Sequence, residues 1–303
     1  MGQTGETGDT QDRSQPLILV SNDDGVDAEG IRALATALCA VGHVVTVAPD
    51  RQQSASSHAL TLHRPLRVQR RTNVVYAVEG TPTDCVLVAV RRILDRIPDL
   101  VVAGINDGPN MGDDVNYSGT VAAAIEGSLL GVPSIAVSID RAPERDLGAA
   151  ATVATRLAGL LLRHQTPSPP EAMLPLDFEG QEGATAAAWQ RDDRIVLNVN
   201  VPGCRAAQLG ELRLTRLGKR VYRDAVVEWV DPRGESYLWI GGDAPTWMPE
   251  RQDGIMTDFA AVEQGHVSVT PLRLDWTDHA TLELLGSWGI AGSRAAPAAV
   301  GDG

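Results

Sequence analysis

The feature that most constrains this chain is a strand-turn-helix-strand succession near its start. Leu17-Ile18-Leu19-Val20 is an unbroken apolar run. It lacks the alternation of a strand with one wet face, so it belongs to a strand covered on both sides. Asn22-Asp23-Asp24-Gly25 follows, and these are residues that favour turns. From Ala28 to Ala40 the residues Ile31, Leu34, Ala35 and Leu38 recur at helical spacing. A second apolar run, His43 to Ala48, stops at Pro49-Asp50. Parallel strands need a crossover connection, and the intervening helix supplies one. This unit predicts an α/β fold: a Rossmann-like, doubly wound, mostly parallel sheet with helices on both faces.

The alternation continues along the chain. Strands are expected at 74–78, 100–103 and 134–138, and helices at 83–94, from Ser118 or Thr120 to about Leu130, and at 147–162. Either Thr81 or Thr83 suits the N-cap of the first of these helices. Each strand ends in a polar, Gly-containing loop, at the edge where open α/β sheets bind ligands. The stretch 164–193 is rich in Pro, Gly and Ala and reads as a surface insertion. A strand resumes at 195–200. Segments with strand-like alternation follow over 212–241, such as Tyr237-Leu238-Trp239-Ile240. Residues 212–260 are therefore expected to form C-terminal hairpins or arms that reach a partner subunit. A strand at 266–272 and a short helix at 277–285 close a single domain of residues 16–285. The tails 1–15 and 286–303 are expected to be disordered.

Charge narrows the function. Lys plus Arg number 26 and Asp plus Glu 39, a net charge of −13. Bulk attraction to a nucleic-acid polymer is excluded. An anionic small molecule would need a metal cation or a helix N-terminus to reverse the local field. No apolar run approaches the roughly 20 residues of a transmembrane helix, and residues 1–15 lack the apolar core of a secretion signal. Cys39, Cys85 and Cys204 are odd in number and widely spaced, as expected of reduced thiols packed as small hydrophobes in a cytoplasmic protein. Lys219 is the sole lysine. That excludes a Walker A loop, and it leaves no core lysine for a receiver-type site. Asn22-Asp23-Asp24-Gly25 is neither a dinucleotide-binding Gly-x-Gly-x-x-Gly turn nor the Asp-x-Asp of a phosphatase with an aspartyl nucleophile.

Three polar clusters remain, each at a strand's carboxyl end. Asp23 and Asp24 are adjacent carboxylates after a buried strand. Such a pair is costly to ionise unless a cation or donors neutralise it. Hard divalent ions take oxygen ligands of this kind, while capping and solvation offer an ordinary turn as the alternative. The second cluster, Asp50 to His58, carries Ser54, Ser56 and Ser57. It reads as a phosphate-contacting loop or as a solvated one, with His58 and His63 as acid-base groups or bystanders. The third runs from Gly104-Ile105-Asn106-Asp107-Gly108 to Tyr117-Ser118-Gly119-Thr120. Its glycines permit tight turns, and Ser118-Gly119-Thr120 at a helix start would aim N–H groups and hydroxyls at an anion. Loops converging on one sheet edge would equip a site for metal-assisted attack on a phosphate ester.

These motifs resemble one family, the survival protein SurE family of metal-dependent nucleotidases. The resemblance is carried by Ile18 to Gly25, Ala48-Pro49-Asp50 with Ser54, Gly80-Thr81-Pro82-Thr83-Asp84-Cys85, Gly104 to Gly112 and Tyr117 to Val121. Asn198-Val199-Asn200-Val201-Pro202, Thr257-Asp258 and Val267 to Leu272 continue it. It implies hydrolysis of nucleoside 5′- and 3′-monophosphates, with short-chain polyphosphate as a further substrate, in a homodimer or homotetramer built through the arms. It implies one Mg²⁺ or Mn²⁺ per subunit held by Asp23, Asp24, Ser54 and Asn106. Catalysis then falls to Asp23, Asp24 and Asn106, and phosphate contact to Ser118, Gly119 and Thr120. The alternative from another class is a nucleotide- or phosphate-binding regulator that keeps the fold and does not turn over.

Overall fold

The computed structural model describes residues 15–164, 195–221, 226–240, 246–248 and 254–288. Packing divides the chain after Leu272 into two units. The expected single domain of 16–285 thus runs past the first unit into the second. In the first unit the chain forms β1 (Leu17–Ser21), α1 (Glu29–Leu38), β2 (His43–Pro49), β3 (Val68–Arg70) and β4 (Val75–Val78). Then come α2 (Pro82–Val88), β5 (Leu100–Asp107), α3 (Gly119–Leu129), β6 (Ser134–Ile139), α4 (Leu147–His164) and β7 (Val196–Val201). The remainder is β8 (Leu212–Leu214), β9 (Arg220–Val221), β10 (Val226–Val230), β11 (Ser236–Ile240), β12 (Thr246–Trp247), α5 (Asp258–Glu263) and β13 (Val267–Leu272). The second unit contains α6 (His279–Ser287), capped by Asp278, whose carboxylate accepts the Thr281 N–H.

The main sheet has strand order β3-β4-β2-β1-β5-β6-β7-β13-β8. Its centre is parallel, as the buried apolar runs predict: β1 pairs in parallel with β2 and β5, β5 with β6, and β6 with β7. Only β3 against β4 and β13 against β7 run antiparallel. Alternate residues of each central strand face opposite layers. Ile18, Val20 and Val102 join Ile31 and Leu34 of α1 and Ala150 and Ala154 of α4 in one core cluster. The intervening Leu19 and Val101 are equally buried and point to the α2–α3 side, where Gly127 of α3 packs against Val101.

Two sequence expectations need correction. The helix expected at 83–94 ends at Val88 and continues only as a wider turn with i→i+5 bonding over Ala89–Ile93. Its cap is Thr81, in a capping box with Asp84. The thiols are free, but only Cys85 is packed as expected; Cys39 is exposed and Cys204 half-buried. The expected insertion at 164–193 and the tails lie outside the described residues, apart from His164 at the end of α4, Gln15 and residues 286–288. Among the described residues no helix is long and apolar enough to cross a membrane.

Candidate active site

Strand order determines where a ligand can sit. From β1 the chain moves out to β2 and β4 on one side, then returns to lay β5, β6 and β7 on the other. The reversal falls between β1 and β5, and the crevice beyond the strand ends at such a switch point takes the ligand in open α/β sheets. Asp23 and Asp24 leave β1 there, and Asn106 sits near the end of β5.

The turn after β1 is built by Asn22, which is fully buried. Its Oδ1 accepts the Gly25 N–H at 3.1 Å and its Nδ2 donates to the Gly25 carbonyl at 2.9 Å. That closed turn aims the next two carboxylates into the crevice. Asp23 is 4% exposed, and its Oδ1 accepts the Thr120 hydroxyl. Asp24 Oδ2 accepts the Asp107 N–H at 3.3 Å. Burial pushes the Asp23 carboxyl above its ordinary range; the Thr120 hydroxyl opposes this and the Asp24 charge adds to it. Burial raises Asp24 too, opposed by the Asp107 N–H, reinforced by the Asp107 carboxylate and relieved by Arg141.

Asn106 reaches the same crevice through a backbone irregularity. The register of β5 against β6 shifts between Ala103 and Asn106, and such bulges re-aim the side chains that follow. Gly104 makes this possible with φ +136°, where a Cβ would lie 2.3 Å from the Val137 carbonyl oxygen. Asn106 Nδ2 donates to the Gly108 carbonyl at 2.7 Å, which leaves Oδ1 as the atom able to ligate a cation.

Ser54 lies on the loop after β2. Its exposed hydroxyl accepts the Gln52 side-chain amide at 2.9 Å, and Gln52 also hydrogen-bonds Asp24. The loop is held to the β1 turn by the Gln53 N–H, which donates to the Asp23 carbonyl at 2.7 Å. Ser54 is thus one bridging amide from the acidic pair. Two carboxylates with neutral oxygens fit a hard divalent cation. The raised carboxyls fit it as well: ionising both within the protein is only partly offset, by Arg141 beside Asp24. Among the described residues no three of His, Cys, Asp and Glu gather as a metal-holding group; the set here is two carboxylates with neutral oxygens.

The first turn of α3 closes the crevice. Ser118 is its N-cap, accepting the Val121 N–H at 3.1 Å. A Cβ on Gly119 would lie 2.8 Å from the Asp23 Cβ, so only glycine lets the helix start touch the acidic turn. The Thr120 hydroxyl donates to Asp23, while Ser118 Oγ accepts the Val121 N–H and keeps its own O–H. The Gly119 N–H, which has no intrahelical acceptor, and the Ser118 O–H are the donors this turn leaves for an anion.

The loop from Gly108 to Tyr117 is fixed by groups whose roles the sequence reading did not identify. Asn110 accepts at its carbonyl from Asn198 at 2.8 Å and Asn200 at 3.0 Å, donates its N–H to Asn200 at 2.8 Å, and donates its amide to Ser138 at 2.7 Å. Asp258 accepts the N–H groups of Gly112 at 2.7 Å, and of Gly218 and Phe259 at 2.9 Å. Asp113 and Asp114 are not merely solvated: Asp114 pairs with Arg220, and Asp113 accepts the Arg220 N–H at 3.4 Å. The available signal was the alternating polar pattern Asn198-Val199-Asn200 in an otherwise apolar strand. His58 is drawn to Glu126 on α3, with Nε2 2.8 Å from Oε2, and His63 is exposed.

Comparison with known proteins identifies the family. The sequence model of the survival protein SurE family matches residues 18–224. The chain belongs to the SurE family. It is 46% identical over 278 residues to a protein named 5′-nucleotidase SurE from Geobacter sulfurreducens, covering 91% of this chain and 95% of that one. A protein of the same name from Aeromonas hydrophila is 46% identical over 277 residues, covering 89% and 97%. The crystal structure of the SurE protein from Aquifex aeolicus superposes with a TM-score of 0.71 at 36% identity, over 90% of this chain and 99% of that chain. The SurE fold accounts for both the parallel sheet and the extra strands after β7.

Proposed function

We propose that this SurE chain is a metal-dependent 5′-nucleotidase, releasing orthophosphate from nucleoside monophosphates. The observation that carries the reading is the contact of the buried acidic turn with the N-terminus of α3 at the switch point. The relatives' shared name, 5′-nucleotidase SurE, supports the substrate class. Asp23 and Asp24 would hold one Mg²⁺ or Mn²⁺ per subunit, with Asn106 Oδ1 and Ser54 Oγ as neutral ligands. When bound, such an ion polarises a phosphoryl oxygen and acidifies a water. The chain's own groups do the rest. The Thr120 hydroxyl fixes the Asp23 carboxylate, the Gly119 N–H and the α3 dipole orient the phosphoryl group, and the Asn110 and Asp258 networks hold the loop that leads into α3.

These groups face a phosphoryl group rather than a sugar, so the reading extends to 3′-monophosphates and short-chain polyphosphate. The exposed β10–β11 hairpin suits self-association as a homodimer or homotetramer. Free thiols suit the cytoplasm, and the net charge of −13 disfavours a nucleic-acid partner. The test is phosphate release from a panel of nucleoside monophosphates by metal-stripped protein, then with Mg²⁺ or Mn²⁺ restored. Release only with metal, abolished in Asp23→Asn, is expected. Nucleotide binding without release under any metal would overturn the enzyme reading in favour of a regulator.

A further inference from the structure

Ser56 Oγ is buried and has no protein hydrogen-bond partner among the described residues. A buried hydroxyl without a partner is costly, so its position calls for a cause. That position is specific. The point where a Cβ on Gly119 would sit is 2.9 Å from Ser56 Oγ and 3.1 Å from Asp23 Oδ2. The hydroxyl therefore stands beside the first residue of α3 and the acidic turn together.

The loop is pinned on both sides of it. The Ser57 hydroxyl donates to the Asn116 carbonyl at 2.7 Å, and the Ser57 N–H to the Tyr117 carbonyl at 3.3 Å. The Ser56 N–H itself donates to the Gln53 carbonyl at 3.3 Å. Ala55 and Ser57 hold φ of 58° and 51°, a left-handed conformation that side chains other than Gly, Asn and Asp seldom adopt. The fold accepts that conformation on each side of Ser56 and sets its hydroxyl against the first residue of α3, next to Asp23.

We propose that Ser56 Oγ donates a hydrogen bond to a phosphoryl oxygen of the substrate, as a further substrate-binding residue of this site. The proposal rests on the nucleotidase reading for its substrate. A phosphoryl group carries more acceptor oxygens than the Gly119 N–H can serve. The Ser118 hydroxyl oxygen caps α3 and the Thr120 hydroxyl already donates to Asp23. Ser118 Oγ only accepts in that cap and keeps its own O–H to donate, so Ser56 adds a second hydroxyl donor where Thr120 cannot.

The test compares wild type with Ser56→Ala in three measurements: Mn²⁺ binding to metal-stripped protein by calorimetry, orthophosphate binding to Mn²⁺-loaded protein, and kcat/KM for nucleoside monophosphates. Orthophosphate affinity is expected to fall about tenfold, and kcat/KM by about tenfold to a hundredfold. Mn²⁺ affinity should stay within about twofold, and Tm should hold or rise, because an unpartnered hydroxyl has been removed. Unchanged orthophosphate affinity and kcat/KM would overturn the proposal. So would a loss of Mn²⁺ affinity, which would make Ser56 a metal ligand, or a fall in Tm, which would make its role structural. If wild type hydrolyses no nucleotide, the nucleotidase reading fails while the orthophosphate arm still tests Ser56. Wild type that binds no orthophosphate would overturn the proposal as well.

Discussion

The strand β1 and the hairpin β10–β11 are both rich in large apolar residues, yet they end in opposite environments. Every residue of β1 is buried, and every residue of β10 and β11 is exposed. Trp229 and Trp239 are 59% and 63% exposed and Ile240 is 91% exposed. An isolated two-stranded hairpin is marginal in water, and a large exposed apolar patch marks an interaction site. The difference teaches that the same residue chemistry serves two purposes here. In β1 it fixes the sheet that aims Asp23 and Asp24. In the hairpin it leaves an exposed apolar surface of the kind that marks an interaction site. On β9 and β12, which flank the hairpin in the chain, Arg220 pairs with Asp114 and lies 5.4 Å from the Trp247 ring centroid, with Trp247 stacked on Phe259 at 4.2 Å.

The contrast is sharpest in a pair of truncations read by chemical denaturation. Leu19→Ala should destabilise the protein by about 2–5 kcal/mol, since Leu19 is fully buried. Leu238→Ala, at a position 66% exposed, should change the stability of the subunit by less than about 0.5 kcal/mol. Equal costs at the two positions would break the comparison.

Asp258→Ala comes next. It strips three backbone N–H groups of their acceptor and should cost about 3 kcal/mol by the same measurement. It should also lower kcat/KM, because the Gly112 segment that leads into α3 loses its anchor. On the arm, Trp239→Ala should weaken self-association by about 2 kcal/mol, roughly thirtyfold in Kd by sedimentation equilibrium, with subunit stability unchanged. Arg220→Ala removes an ion pair and a ring contact and should cost about 1 kcal/mol.

The smallest effect is a pH slope. Burial raises the Asp258 carboxyl above its ordinary value, against the pull of the three N–H groups. A raised folded pKa means that the native state holds the proton more tightly than the unfolded chain does. This group's contribution to stability is therefore greatest below the unfolded pKa and declines as pH rises through the folded one. Asp23 and Asp24 are raised as well and stay in the variant, so the readout is the difference. By denaturation, the stability of wild type relative to Asp258→Asn should fall as pH rises from about 3 to about 7, and a constant difference would contradict it.

Much of this architecture was legible in the residues. Apolar runs such as Leu17 to Val20 and Leu100 to Ala103 announced doubly covered strands, and helical periodicity placed α1, α3 and α4 within a few positions. The acidic turn and the Ser118 cap were legible because turn and cap chemistry is local. What escaped was non-local. Asp258 lies 146 positions from Gly112, whose N–H it accepts, and Asn200 lies 90 from Asn110. The alternation Asn198-Val199-Asn200 hinted at buried polar groups without naming their partner, and nothing local to Asp258 tells it from a solvated carboxylate. Ser56 was one hydroxyl among several in its loop until the fold set it against Gly119. The early end of α2 was missed because Ala89 to Ile93 keeps helical composition while its hydrogen bonding widens.

The central claim is that Asp23, Asp24, Asn106 and Ser54 form one cation site at the β1–β5 switch point. Anomalous diffraction from a crystal soaked in Mn²⁺ tests it most directly. A single strong peak within ligand distance of Asp23 and Asp24, with Asn106 Oδ1 and Ser54 Oγ around it, is the expected result. A peak held by other residues, or no peak at the switch point at saturating Mn²⁺, would contradict it.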